Sequence, residues 1–278
     1  MSGLAFVAVI AATAALMTVA AMRHQVGADE VDCVRAKCVA FTFDDGPTPF
    51  TDRLLKILVD NDAKATFFLI GNKVARDPGA AKRIVEAGME VGNHTWEHPN
   101  MSTIPTEDIA SQLGKANDAI VAATGQKPRL FRPAGGLSND AVRAEAGRQG
   151  MAEILWDVIP FDWINDSNTA ATVYMLRTQI KPGSVVLLHD TYSSTVDLVY
   201  QFLPVLKAND YHLVTVSHLL GPRQPGSSYG SRVNGRPVND IIDVPAARIP
   251  SLPATPSPKP APNLPITDIP NQNPGGPQ

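Results

Sequence analysis

The chain has 278 residues, 44% of them hydrophobic, and a formal net charge of -3. That is enough apolar mass for one sizeable core. A nearly neutral balance without a basic block excludes nucleic acid as an expected partner.

Leu4 to Val19 is continuously apolar or small, and Arg23 and His24 follow it. Residues 1–22 read as a secretory signal peptide or an N-terminal membrane anchor formed by residues 4–22. No basic residue precedes the run, whereas Thr18, Ala20 and Ala21 supply small residues for cleavage. Export is expected, to the outer face of the membrane, the cell wall or the medium; cleavage is left open. Residues 23–35 form a short linker. The only cysteines, Cys33 and Cys38, are spaced C-x4-C. In an exported chain such a pair reads as a disulfide closing a small loop, the rival being half of a zinc site without nearby partners.

From residue 36, strand and helix patterns alternate. The expected strands are Val39–Phe43, Ala65–Ile70, Met89–Gly92, Arg129–Phe131, Ile154–Val158, Val185–Leu188 and His212–Val216. Helical patterns fill the intervals over Asp52–Val59, Lys73–Ala87, Thr106–Ala123, Asn139–Gln149, Ala170–Gln179 and Val196–Lys207. In the third of these, Ile109, Leu113, Ala116, Ile120 and Ala123 recur at the three- and four-residue steps of one buried face. Alternation of this kind predicts an α/β fold with about seven mostly parallel strands, open or closed into a barrel. Every suspicious polar residue follows a strand end, which favours a barrel shorter than a full eight-fold one.

The first such group is Thr42-Phe43-Asp44-Asp45-Gly46-Pro47. Adjacent carboxylates raise each other's pKa, and a bound cation relieves the repulsion. A plain Asp-Gly turn with a spare acid is the alternative. His94-Thr95-Trp96-Glu97-His98 follows the third strand. Its H-x3-H spacing sets two imidazoles on one side of a helical turn, and with Asp45 they make a two-histidine, one-carboxylate set. That donor mix suits zinc, with cobalt or nickel as substitutes.

Arg132, after the fourth strand, is placed to pair with Asp44. The Gly135-Gly136 pair would let backbone N–H groups approach an oxyanion. His189 closes the sixth strand and becomes a general acid if Asp162 holds its other ring nitrogen. Trp163 and Leu187 would supply apolar walls for a sugar ring or an acetyl methyl. An ordinary salt bridge, a flexible turn and a packed core histidine are the alternatives for these three groups.

Taken together and in this order, the blocks resemble the polysaccharide deacetylase family, carbohydrate esterase family four, over roughly Ala36 to Leu220. The resemblance implies a distorted, incomplete (β/α) barrel and metal-dependent removal of N-acetyl groups from glycans. It implies Asp44 as base, Asp45, His94 and His98 as metal ligands, and Arg132 as the residue that tunes the base. It further implies that Asp162 orients the acid His189, that Trp163 and Leu187 line an acetyl pocket, and that the Gly135 amide is the oxyanion donor. Ala134 and Gly135 stand where the family commonly has Pro and Tyr, so a ring that would shape the groove is expected to be missing. Ile159-Pro160 stands where an Asp-Ser pair is frequent. The expected substrate is N-acetylglucosamine of peptidoglycan. A chitin-oligosaccharide deacetylase, an O-acetyl (xylan-type) esterase and a non-catalytic glycan-binding protein are the alternatives.

The character changes at Gly221. Residues 221–278 hold 14 of the 24 prolines without apolar periodicity, and such a segment is expected to be disordered.

Overall fold

The computed structural model of the protein describes residues 31–166 and 168–231. The apolar segment 4–22 therefore lies outside the described residues, and among those described no helix is long and apolar enough to cross a membrane. Cys33 and Cys38 are joined in a disulfide across 5.4 Å between Cα atoms, so neither thiol is available to a metal.

The element order is β1 (Lys37–Gly46), α1 (Thr51–Asp60), β2 (Thr66–Leu69), α2 (Gly71–Arg76), α3 (Pro78–Glu86), β3 (Glu90–Asn93), α4 (Thr106–Thr124) and β4 (Leu130–Phe131). There follow α5 (Asp140–Arg148), β5 (Ala152–Ile154), α6 (Thr169–Gln179), β6 (Val185–His189), α7 (Ser193–Ala208), β7 (Tyr211–Leu213), α8 (Val216–Leu220) and β8 (Ser228–Tyr229). The strands run in the order β6-β1-β2-β3-β4-β5-β8, with β7 also paired to β1. Every one of these pairings is parallel. The curled parallel sheet with its helices is the α/β arrangement that the alternation predicts and the distorted, incomplete barrel that the family resemblance implies. Its central strand, β1, is buried from Cys38 to Asp44, with Phe41 and Phe43 fully inside.

The helix periodicity of α4 holds: Ile109, Leu113, Ala116 and Ile120 are buried, and Gly125 ends the helix at φ 71°. The single helix expected over Lys73–Ala87 is instead two. Pro78 has no N–H and disfavours helical geometry at the residue before it, so the chain breaks at Asp77. The Asp77 side chain then caps α3 by accepting from Ala80 N at 3.0 Å.

The boundary expected at Gly221 is not where order ends. The segment continues through β8, where Glu153 N donates to Ser227 O (2.9 Å) and Leu155 N donates to Tyr229 O (2.7 Å). A bridge between Ser184 and Ser231 then ties it back toward β6. Proline-rich composition hid a strand of two residues because a barrel edge needs only a few exposed N–H groups satisfied. The stretch Val238–Val244, which the sequence would allow as a short strand at the barrel edge, lies outside the described residues. Truncation after Ser231 is expected to leave the melting temperature unchanged. Truncation after Gln224 strands the Glu153 and Leu155 amides at about 1–3 kcal/mol each and should lower Tm by several degrees. Thermal unfolding of the two truncations checks this.

Candidate active site

Asp44 and Asp45 both face one cavity, which simple strand alternation forbids. The reason lies in the β1–β2 register: Asp44 pairs with Phe68 and Gly46 with Leu69, so Asp45 is an inserted, bulged residue. It sits at φ 69°. A bulge re-aims a side chain in just this way.

The two acids have different surroundings. Asp44 is 3% exposed, and its Oδ1 accepts from Arg132 Nη1 at 2.8 Å. Arg132 is fully buried and spends its other donors on Thr42 Oγ1 (2.7 Å), Ile154 O (2.9 Å) and Leu155 O (2.9 Å). Its guanidinium stacks 4.1 Å from the centre of the Phe68 ring. Burial pushes the Arg132 pKa down, and the Asp44 carboxylate opposes that. One Asp44 oxygen is thus committed, and the other is left 3.7 Å from His94 Nε2.

Asp45 Oδ1 is buried without a hydrogen-bond partner. It lies 3.4 Å from His94 Nε2 and 3.2 Å from His98 Nε2. Burial alone would raise its pKa, but the two imidazoles hold the carboxyl well below the usual carboxylate range. Burial, followed by the neighbouring His94, pushes His98 down. The donor atoms of the three residues all fall within 4.8 Å of one another. His94 Nδ1 lies 2.7 Å from Arg132 O. A carbonyl only accepts, so Nδ1 carries a proton and Nε2 is the nitrogen turned toward Asp45. An orphaned buried oxygen facing two imidazole nitrogens is a donor set that a divalent cation fits.

The two histidines do not ride on a helical turn. Residues 94–98 form an irregular loop with Thr95 at φ 68° and His98 at φ 63°. Side chains hold it in that strained shape. Asn93 Oδ1 accepts from Thr95 N (2.8 Å) and Thr95 Oγ1 from His98 N (2.9 Å), while Gln112 Oε1 takes the N–H groups of Trp96 and Glu97, each at 3.0 Å. Positive φ at non-glycine residues costs about 1–3 kcal/mol each and is sustained where the surroundings over-determine it.

Across the cavity, His189 pairs with Asp44 in the β6–β1 register. Its Nδ1 lies 3.0 Å from Asp162 Oδ1, and its own N–H donates to Asp162 Oδ2 at 2.8 Å. Thr195 Oγ1 donates to the same oxygen at 2.8 Å. Burial lowers the His189 pKa, but the Asp162 carboxylate outweighs it and the net shift is upward. Trp163 packs edge-on against the His189 ring, with centroids 5.0 Å apart.

The cavity of about 330 Å³ brings together Asp44, Asp45, His94, His98, Gly135, Trp163, Leu187 and His189. Arg132 and Asp162 stand behind its walls. Ile159 lines it too, and two further lining residues, Trp156 and Tyr192, are not singled out by the sequence. The missing ring at Gly135 does not leave that wall without an aromatic: the Trp156 indole lies against Gly136, where an added Cβ would come within 2.9 Å of it. Ile159 in the wall means that no second carboxylate stands there. A larger groove of about 810 Å³, lined by residues such as Lys64, Lys207 and Tyr211, holds none of these groups.

The parallel barrel thus gathers at its strand ends two histidines and a carboxylate that could hold a metal ion, beside the buried Asp44–Arg132 pair. A family model for polysaccharide deacetylases matches residues 32–154. The peptidoglycan-N-acetylglucosamine deacetylase of Bacillus cereus is 38% identical over 192 residues, covering 66% of this chain and 88% of that one. The peptidoglycan-N-acetylmuramic acid deacetylase PdaC of Bacillus subtilis is 36% identical over 184 residues. That match covers 66% of this chain but only 38% of PdaC. A solved structure described as T48 deacetylase with substrate superposes with a TM-score of 0.68 at 36% identity, over 72% of this chain and 99% of that one. The chain belongs to the polysaccharide deacetylase family.

Proposed function

We propose that the protein is an exported, metal-dependent deacetylase that removes N-acetyl groups from N-acetylglucosamine in peptidoglycan. The observation that carries the reading is the partnerless Asp45 Oδ1 set between His94 and His98, with Asp44 and His189 facing the same cavity. The names of the B. cereus and B. subtilis relatives support a peptidoglycan substrate, and the disulfide supports an oxidising location.

Asp45, His94 and His98 would hold the cation, and two imidazoles with one carboxylate favour zinc. A bound cation in such a site supplies Lewis-acid polarisation of the amide oxygen and a water of lowered pKa. Asp44 takes the proton from the attacking water through the oxygen that Arg132 leaves free. The Gly135 N–H donates to the developing oxyanion. His189, protonated on Nε2 and held through Nδ1 by Asp162, delivers a proton to the departing nitrogen. Water is consumed, and acetate and a free amine are released. Trp163 and Leu187 pack against the acetyl methyl.

The test is acetate release from peptidoglycan, chitin oligomers and acetylxylan, with and without chelator. Chelation should abolish turnover and zinc or cobalt restore it, and His94→Ala should lose both metal and turnover. Release from acetylxylan alone would make the protein an O-acetyl esterase. Undiminished activity in a metal-free preparation would overturn the mechanism.

A further inference from the structure

Asp190 is a buried carboxylate that this chemistry does not use. It is fully inaccessible, one residue beyond His189, and its Oδ1 has no hydrogen-bond partner. Burying an acid with an orphaned oxygen is unfavourable, so its presence calls for a compensating role.

The contacts of Asp190 lie across the end of the barrel. The β1–β6 ladder runs in register up to Asp44 and His189. Beyond that point the Asp45 bulge leaves β1 paired with β2 alone, through Gly46 and Leu69, and no β1–β6 pairing holds the two ends together. Hydrogen bonds accepted by Asp190 take over there. Thr48 Oγ1 donates to Asp190 O at 2.8 Å. Thr48 N donates to Thr51 Oγ1 at 2.8 Å, and that hydroxyl in turn donates to Asp190 Oδ2. Asp190 Oδ1 stands 3.3 Å from where a Cβ on Gly46 would be, so the carboxylate lies flat against the residue that follows Asp45. On the other side of the turn, Lys73 Nζ donates to Asp45 O at 2.8 Å.

We propose that Asp190 is a positioning residue: with Thr48 and Thr51 it clamps the turn carrying Asp45 to the strand end carrying His189, fixing the distance between the metal-binding side and the acid side of the cavity. The inference rests on the metal-centre reading above, and its main readout does not depend on catalysis. Outer partners of metal ligands change affinity by about 10–100-fold when removed.

The experiment is zinc affinity by competition with a chromogenic chelator, together with kcat, KM and Tm, on the whole chain. Asp190→Ala and Thr51→Val should each weaken zinc binding by about 10–100-fold and lower kcat on the zinc-saturated protein with little change in KM. The double variant should be no worse than either single one, because both cut the same link. Asp190→Asn keeps an acceptor for Thr51 and sheds the buried charge. It should restore most of the affinity and kcat while melting no lower than wild type. If Asp190→Ala does not fold, Thr51→Val and Asp190→Asn decide the matter. Wild-type zinc affinity and kcat in folded Thr51→Val would overturn the proposal, as would additive losses in the double variant. A wild-type chain that binds zinc yet releases no acetate would sink the deacetylase reading, and the affinity series would still test the clamp.

Discussion

Asp44→Asn is expected to keep the metal and lose about 10²–10⁴-fold in kcat, the range for one acid–base group. The two oxygens of Asp44 have separate tasks. Oδ1 is fixed by Arg132, and an asparagine carbonyl can occupy that place unchanged. The second oxygen is the one left to accept a proton, and an amide NH2 in its position can only donate. Asp45 differs in kind, because its buried oxygen points between two imidazole nitrogens. Metal content by atomic emission, measured beside turnover, separates the two. If Asp44→Asn loses zinc as completely as activity, the roles given to the neighbouring acids are reversed.

The residues that line the cavity were legible because the loops at parallel strand ends carry such sites, and strand ends show in sequence as an apolar run stopping at a polar cluster. Asp44, His94, Arg132 and His189 each follow such a run. What the pattern could not convey was how the backbone aims them. Adjacent acids on a regular strand diverge, and only the pairing with Phe68 and Leu69 reveals Asp45 as a bulge. The spacing of His94 and His98 brought two imidazoles together, but through positive φ angles held by Asn93 and Gln112 rather than through helix periodicity. Those holding residues are remote or unremarkable in sequence. Trp156 escaped notice for a similar reason. Within an expected strand it reads as one more apolar residue, and its contact with Gly136 exists only once β4 and β5 lie side by side. The β8 strand was masked by composition: two paired residues carry no periodicity.

Arg132→Met should be the most damaging substitution for the fold itself. The guanidinium is wholly buried and is the countercharge for Asp44, which is itself 3% exposed. Methionine fills part of the volume over the Phe68 ring but leaves a buried acid alone. It also strips the Ile154 and Leu155 carbonyls of their donor. Removing one partner of a buried ion pair costs about 3–5 kcal/mol, a large share of the roughly 5–15 kcal/mol that holds a typical domain folded. At about 2–4 °C per kcal/mol for a domain of this size, Tm should fall by about 6–20 °C. Activity should vanish as well, because Asp44 would lose the donor that fixes its Oδ1 and aims its other oxygen into the cavity. Arg132→Lys keeps the charge but not the planar fork that reaches Asp44, Thr42 and two carbonyls at once, so it should fall between wild type and Met. The carbonyl ends of this network belong to the strand that β8 pairs with, where Leu155 N donates to Tyr229 O. Truncation after Gln224 should therefore depress kcat as well as Tm, by loosening the support behind Arg132. Calorimetry and turnover on Arg132→Met, Arg132→Lys and that truncation form the check. A folded Arg132→Met protein melting with the wild type would show that Asp44 is not held by this pair.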